Sequence, residues 1–177
     1  MTLYEKILGA DFESLPTPVR NFHARREEHR YTGRAIVERG RNPISRIVCA
    51  IIGFPKPGDG VPVEVTIVPT PQGEQWTRNF AGKRFSSFQA AGSGPNDGLI
   101  VESFGPVRVA LALKVDDNKL RLLPERWSAF GVPLPPFLLP GGDTFETQKD
   151  NVFHFHVEIT APLIGLIVSY EGTLTPV

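Results

Sequence analysis

The chain has 177 residues, 41% of them apolar and 21% charged, and its 19 basic side chains balance 19 acidic ones. That length and composition fit one globular domain with a substantial core and exclude extended disorder. A net charge of zero lacks the basic excess of a nucleic-acid-binding domain, and a lone cysteine, Cys49, rules out an internal disulfide framework or a cysteine-based zinc cluster.

The N-terminus is polar by its fifth residue and has no signal-peptide core. The longest apolar runs, 47–54 and 161–168, are about eight residues, too short to cross a bilayer. The expectation is a cytoplasmic protein with no membrane span. Thr2 and Glu5 form a capping-box pattern ahead of Leu3, Ile7 and Leu8, and Gly9 is placed to end that helix. A second helix is predicted to begin at Thr17 and Pro18 with Thr17 as cap, which puts Leu15, Val19 and Phe22 on one face. Residues 31–40 read as a strand, with Ala35 and Val37 opposite Arg34 and Ile36.

Arg20, Arg25, Arg26, Arg30, Arg34, Arg39, Arg41 and Arg46 crowd this part of the chain, partly offset by Glu27, Glu28 and Glu38. A solvated helix face and strand edge account for them. The sharper alternative is a basic patch facing an acidic partner or anionic lipid. Asn42 and Pro43 start a further helix, in which Ile44, Ile47, Val48, Ile51 and Ile52 fall at helical spacing before Gly53 and Pro55 end it. So apolar a stripe is expected to pack against something large and flat.

From residue 61 the period changes to two. Val61, Val63, Val65 and Ile67 alternate with polar or smaller residues, as do Trp76, Arg78 and Phe80, then Val107 to Val115, then Phe153 to Ile159. Turn chemistry separates these runs at 71–73, 81–83, 92–98, 105–106 and 116–118. No strand–helix–strand rhythm follows residue 60, so the sheet should be antiparallel. In the last segment, 163–174, Leu163, Ile164, Leu166, Ile167 and Val168 are apolar on both faces, as for a strand covered on two sides. The expected fold is α+β and mainly antiparallel β. It is a curved sheet or half-barrel wrapped around the 43–52 helix, with N-terminal helices. It forms a single domain, 1–177, helix-rich with one strand over 1–60 and antiparallel strands over 61–177.

His154, His156 and Glu158 share one strand face, a spacing that chelates zinc or iron if a further ligand is near; no such ligand is identifiable, and a solvent-facing strand is the better reading. Gly92-Ser93-Gly94 with Gly98 precedes a strand rather than a helix, so a hairpin loop is expected and not a phosphate cradle. Cys49 lies in an apolar helix with no histidine nearby, and no nucleophile elbow occurs. Charges on apolar strand faces are more informative. Arg78 falls between Trp76 and Phe80, Glu102 between Ile100 and Phe104, Glu74 shares the face of Trp76, and Arg126 adjoins Trp127. A buried charge needs a partner, here an internal ion pair or a ligand group. The stiff apolar run 131–140, with four prolines, serves as a strand crossover or as a lid.

Leu3-Tyr4 with Leu8-Gly9, Gly33-Arg34-Ala35, Arg39-Gly40 and the run Gly73 to Phe80 follow one another in a recognisable order. Glu102-Ser103-Phe104-Gly105-Pro106, Gly131 to Pro135, Pro162 to Gly165 and Tyr170-Glu171-Gly172 continue it. This order resembles the bacterial family known as domain of unknown function 4166, over nearly the whole chain. The resemblance carries no established activity. It implies a domain that occurs alone or C-terminal to saccharopine-dehydrogenase-like or membrane segments, so an accessory role would act on a separate protein. It does not extend to His154 and His156.

Three functions stay open. The leading expectation is non-catalytic binding of a small apolar or lipid-like ligand, or an aromatic carboxylate, in a β-sheet cavity near Glu74, Trp76, Arg78, Glu102, Arg126 and Trp127. No cofactor, metal or nucleic acid is expected. The second is a structural or interaction module, either a homodimer or an oxidoreductase accessory. The third is an enzyme using Glu102 or Glu158 with Arg78.

Overall fold

A computed structural model describes residues 1–177. The helices are α1 (Leu3–Leu8), α2 (Thr17–His23) and α3 (Pro43–Ile52). The strands are β1 (His29–Arg39), β2 (Gly58–Thr70), β3 (Gly73–Phe80), β4 (Lys83–Ala91), β5 (Ile100–Phe104) and β6 (Val107–Asp116). They continue with β7 (Lys119–Ala129), the short β8 (Val132–Pro133), β9 (Phe145–Lys149), β10 (Val152–Ala161) and β11 (Gly165–Pro176).

The local signals act largely as the sequence implies. The Thr2 hydroxyl accepts from the Glu5 amide and the Glu5 carboxylate accepts from the Thr2 amide, closing a capping box. Asn42 Oδ1 accepts from the Ile44 amide at 2.9 Å, and Gly53 ends α3 in the left-handed region at φ 88°. Thr17 differs from its expected role: it is the first helical residue, and Pro16 occupies the cap without a side-chain hydrogen bond.

Every neighbouring strand pair is antiparallel. The strands follow one another as a meander, β11 returns to pair with β1, and the result is a closed barrel of 10 strands with β8 as an appendage on β7. The weakest seam joins β7 to β9, where only Leu120↔Glu146 and Arg121↔Phe145 pair. Beyond it β7 carries Pro124, which has no amide to donate, and an irregularity against β6. The two strands part there, and residues 139–144 cross the gap with Gly141 bridging Thr160.

Gly33 marks a tight approach between β1 and β11. A Cβ there would lie 1.8 Å from the Thr173 carbonyl oxygen on β11. Gly33→Ala is therefore expected to cost about 3 kcal/mol through a forced backbone shift, read as a lower midpoint of urea unfolding.

The inward apolar residues of the strands join buried residues of the helices in one core of 26 side chains. Its middle is aromatic: Phe22, Trp76, Phe80, Phe85, Phe153, Phe155 and Tyr170 are all buried. Leu15, Val19 and Phe22 are buried together, as their shared face implies. The α1–α2 pair closes one end of the barrel, and Phe22 stacks on Phe153 with centroids 4.1 Å apart.

The position of α3 corrects the expectation that the sheet wraps around it. It lies outside the barrel against the start of β11. Ser45 Oγ donates to the Leu166 carbonyl at 2.8 Å, and Cys49 Sγ points at the Ile167 carbonyl at 3.4 Å. Two stripes were available on this helix. The docked one is Ser45, Val48, Cys49 and Ile52, while Ile44, Ile47 and Ile51 remain 50%, 58% and 79% exposed. The docking does cover β11 from outside, so Ile167 and Val168, on opposite faces, are both buried. The preceding residues are a hairpin tip instead of a covered strand, and Leu163 is 99% exposed.

Candidate functional site

Alternation along β3 turns Glu74, Trp76, Arg78 and Phe80 to the barrel interior. A charge there must be met inside. Arg78 Nη1 donates to Ser87 Oγ at 2.8 Å and Nη2 to Glu102 Oε1 at 3.2 Å, while Ser87 Oγ donates to the same Glu102 oxygen at 2.6 Å. The three residues sit on β3, β4 and β5 along a diagonal of the sheet, Arg78 opposite Phe85, Ser87 opposite Trp76 and Glu102 opposite Gln89. The guanidinium also lies over the rings of Trp76 and Phe85, at 4.9 and 5.5 Å.

A second network ties the helical plug to the barrel. The Tyr4 hydroxyl donates to Gln89 Oε1 at 3.0 Å, and its ring stacks on His23 at 3.6 Å. His23 Nε2 meets Glu146 Oε2 at 2.5 Å, and its buried Nδ1 has no partner. Burial, reinforced by the nearby carboxylates of Glu146, Glu74 and Glu102, holds the Tyr4 phenol well above its ordinary range. Burial also pushes the Tyr170 phenol up to about 12, against the pull of the Arg78 charge.

Between these networks the barrel is not filled. A cavity of about 160 Å³ remains, lined by 26 residues, 16 of them hydrophobic. Trp76, Arg78, Glu102 and Tyr170 form one wall, Tyr4, Gln89 and Glu146 the floor beside the helices. Pro124, Pro140 to Gly142, Val157, Glu158 and Ile159 belong to the lining where β7 and β10 face each other unpaired beyond the start of β9, which makes that gap the mouth. The proline-rich run therefore serves as the crossover from β7 to β9, and its far end borders the cavity.

Of the residues singled out in the sequence, Trp76, Arg78 and Glu102 come together on the lining. Glu74 is buried beside them but accepts from Trp76 Nε1 at 3.1 Å and borders a separate, more polar recess with Thr2, Arg25 and Arg26. Arg126 is exposed, and Trp127 donates its indole N–H to the Pro135 carbonyl at 3.2 Å; neither lines the cavity. Glu158 stands at the mouth. His154 and His156 lie on the outer face of β10, where His156 Nδ1 meets Glu171 at 3.1 Å and burial pulls His154 below its usual pKa. Gly92 to Gly98 is the expected loop between paired antiparallel strands. Tyr4, His23, Ser87, Gln89, Glu146 and Tyr170 were not singled out beforehand. Ser87 and Gln89 carry the one readable signal, a period-two continuation from Phe85.

Burial raises the Glu74 carboxyl above its ordinary pKa, an effect that the His23 and Trp76 interactions only partly oppose. Below the unfolded-state pKa the group is protonated in both states and costs nothing. As pH rises through the raised folded-state value, stability is lost, because the unfolded chain releases its proton first. Glu74→Gln is thus expected to raise the melting temperature at pH 7 and to change it little near pH 3, as followed by circular dichroism.

Among known proteins, the model of the family described as Domain of unknown function (DUF4166) matches residues 15–174, nearly the whole chain. No curated protein and no solved structure matches. The chain belongs to the DUF4166 family.

Proposed function

We propose that this DUF4166 chain binds a compact, uncharged, largely apolar ligand inside its barrel and does no chemistry on it. The observation that supports this most is the cavity of about 160 Å³, walled by Trp76 and Tyr170 and reached between β7 and β10. Drug-sized ligands occupy pockets of about 300–1,000 Å³, whereas an apolar void of about 150 Å³ takes benzene. Size therefore favours a single-ring ligand over a lipid.

Charge narrows the class further. The lining holds Glu102, Glu146 and Glu158 against one guanidinium, Arg78, which Glu102 already satisfies. A ligand carboxylate would enter an acidic surrounding with no free cation, so a phenol suits the site better than a benzoate. The same closure argues for binding over catalysis. The Glu102 oxygen that Arg78 meets also accepts from Ser87, and Glu146 is engaged by His23, so neither carboxylate stands free as a general base.

A Trp127→Phe variant leaves Trp76 as the sole indole reporter. Titration with phenol should quench its fluorescence saturably, with benzoate weaker and palmitate without effect. Absence of saturation by phenol, or equal binding of palmitate, would overturn the proposal.

A further inference from the structure

The outer stripe of α3 is an apolar surface that the fold leaves uncovered. Ile44, Ile47 and Ile51 stand 50%, 58% and 79% exposed, on the flank of the helix beside the stripe docked on β11. Leu163, at the tip of the β10–β11 hairpin, is 99% exposed, three residues before the Leu166 carbonyl that Ser45 engages. Branched aliphatic side chains held this far into water on a helix and an adjoining tip need a covering surface.

The charges around them identify its chemistry. Residues 39–58 contain Arg39, Arg41, Arg46 and Lys56 and no acid, with Glu38 and Asp59 bracketing the segment. Arg39 is consumed internally by the Phe54 and Pro55 carbonyls. Arg41, Arg46 and Lys56 are exposed. Exposed Arg84 adds to them, its carbonyl lying 3.3 Å from where a Cβ on Gly53 would stand.

We infer that the α3 face docks on an anionic lipid bilayer, with Ile44, Ile47 and Ile51 entering the headgroup region and Arg41, Arg46 and Lys56 meeting lipid phosphates. An amphipathic helix with a cationic border binds a bilayer surface in this manner, by buried apolar area plus attraction to acidic lipid. A second copy fits poorly, because a two-fold pairing through this face sets one cationic border against another with no acid between them. Duplex nucleic acid fits poorly too, since it would press isoleucines against phosphates. The surface adjoins the cavity: Thr160, which bridges Gly141 at the mouth, lies on the same hairpin as Leu163.

The test is co-sedimentation of the full chain with large unilamellar vesicles, of phosphatidylcholine alone or mixed with phosphatidylglycerol. The chain should pellet with the mixed vesicles, stay in solution with neutral ones, and be released by salt. Ile47→Ser and Ile51→Ser should each weaken binding about tenfold, and Arg46→Gln about fivefold, with unchanged melting temperatures because all three sites are exposed. No pelleting with acidic vesicles overturns the inference, as does pelleting that these variants leave intact. It also fails if the face instead shifts duplex DNA in a gel, or gives a concentration-dependent mass that Ile47→Ser abolishes.

Discussion

Arg78→Met is expected to lower the free energy of unfolding by about 3–5 kcal/mol, because it leaves Glu102 buried without its counter-charge. The Arg78 and Glu102 side chains are only 13% and 10% exposed, so solvent screens little of the interaction. Methionine keeps the volume and the packing on Trp76 and Phe85, and the loss reports the charge. The double variant Arg78→Met/Glu102→Met should recover most of the stability, since an apolar pair of similar size replaces an ion pair at little cost. Ser87 then loses its acceptor, which leaves a smaller residual deficit of about 1 kcal/mol. Urea unfolding of the four proteins gives the coupling energy directly. Additive losses in the double variant would show that the pair is not coupled in the interior.

Phe22→Ala should cost about 3–5 kcal/mol, the usual loss for emptying a large aromatic site. The ring is 1% exposed and sits among Phe153, Tyr31, Trp76 and His23. It is the main apolar anchor of the helical plug, so the damage should be uneven. Amide exchange should speed up in α1 and α2 and on β9 and β10, to which α2 packs, while β2 to β6 keep their protection. A uniform loss across the barrel would mean that the plug and the strands unfold as one unit.

The period-two alternation exposed the strands with apolar inward faces, so β2, β3, β6 and β10 were legible. β4 was not, because its inward residues after Phe85 are Ser87 and Gln89, chosen to serve the interior polar network. The three helices announced themselves through Thr2 with Glu5, Pro18, and Asn42 with Pro43. Which face of α3 is docked was not readable. Two stripes of that helix are plausible, and the choice fell to Ser45 and Cys49 meeting strand carbonyls over the bulkier isoleucines. Ring closure also escaped the sequence, since it depends on β11 pairing with β1, a match set by backbone geometry across the whole chain.

The site divides in the same way. Arg78 and Glu102 stood out because a charge between apolar neighbours on one strand face demands a partner. Arg126 and Trp127 looked similar, but the irregularity at Pro124 and Glu125 shifts the register of β7 and leaves Arg126 outside. His23 and Glu146 lie 123 residues apart, and no local pattern connects them.

The barrel interior, on the reading proposed above, is a binding site for a single-ring ligand. Crystals of the full chain soaked in para-bromophenol, with the bromine located by its anomalous scattering, test it directly. One strong bromine site is expected inside the barrel, between Trp76, Arg78 and Val157. Bromine only on the outer surface, with the interior closed around Trp76, would contradict it.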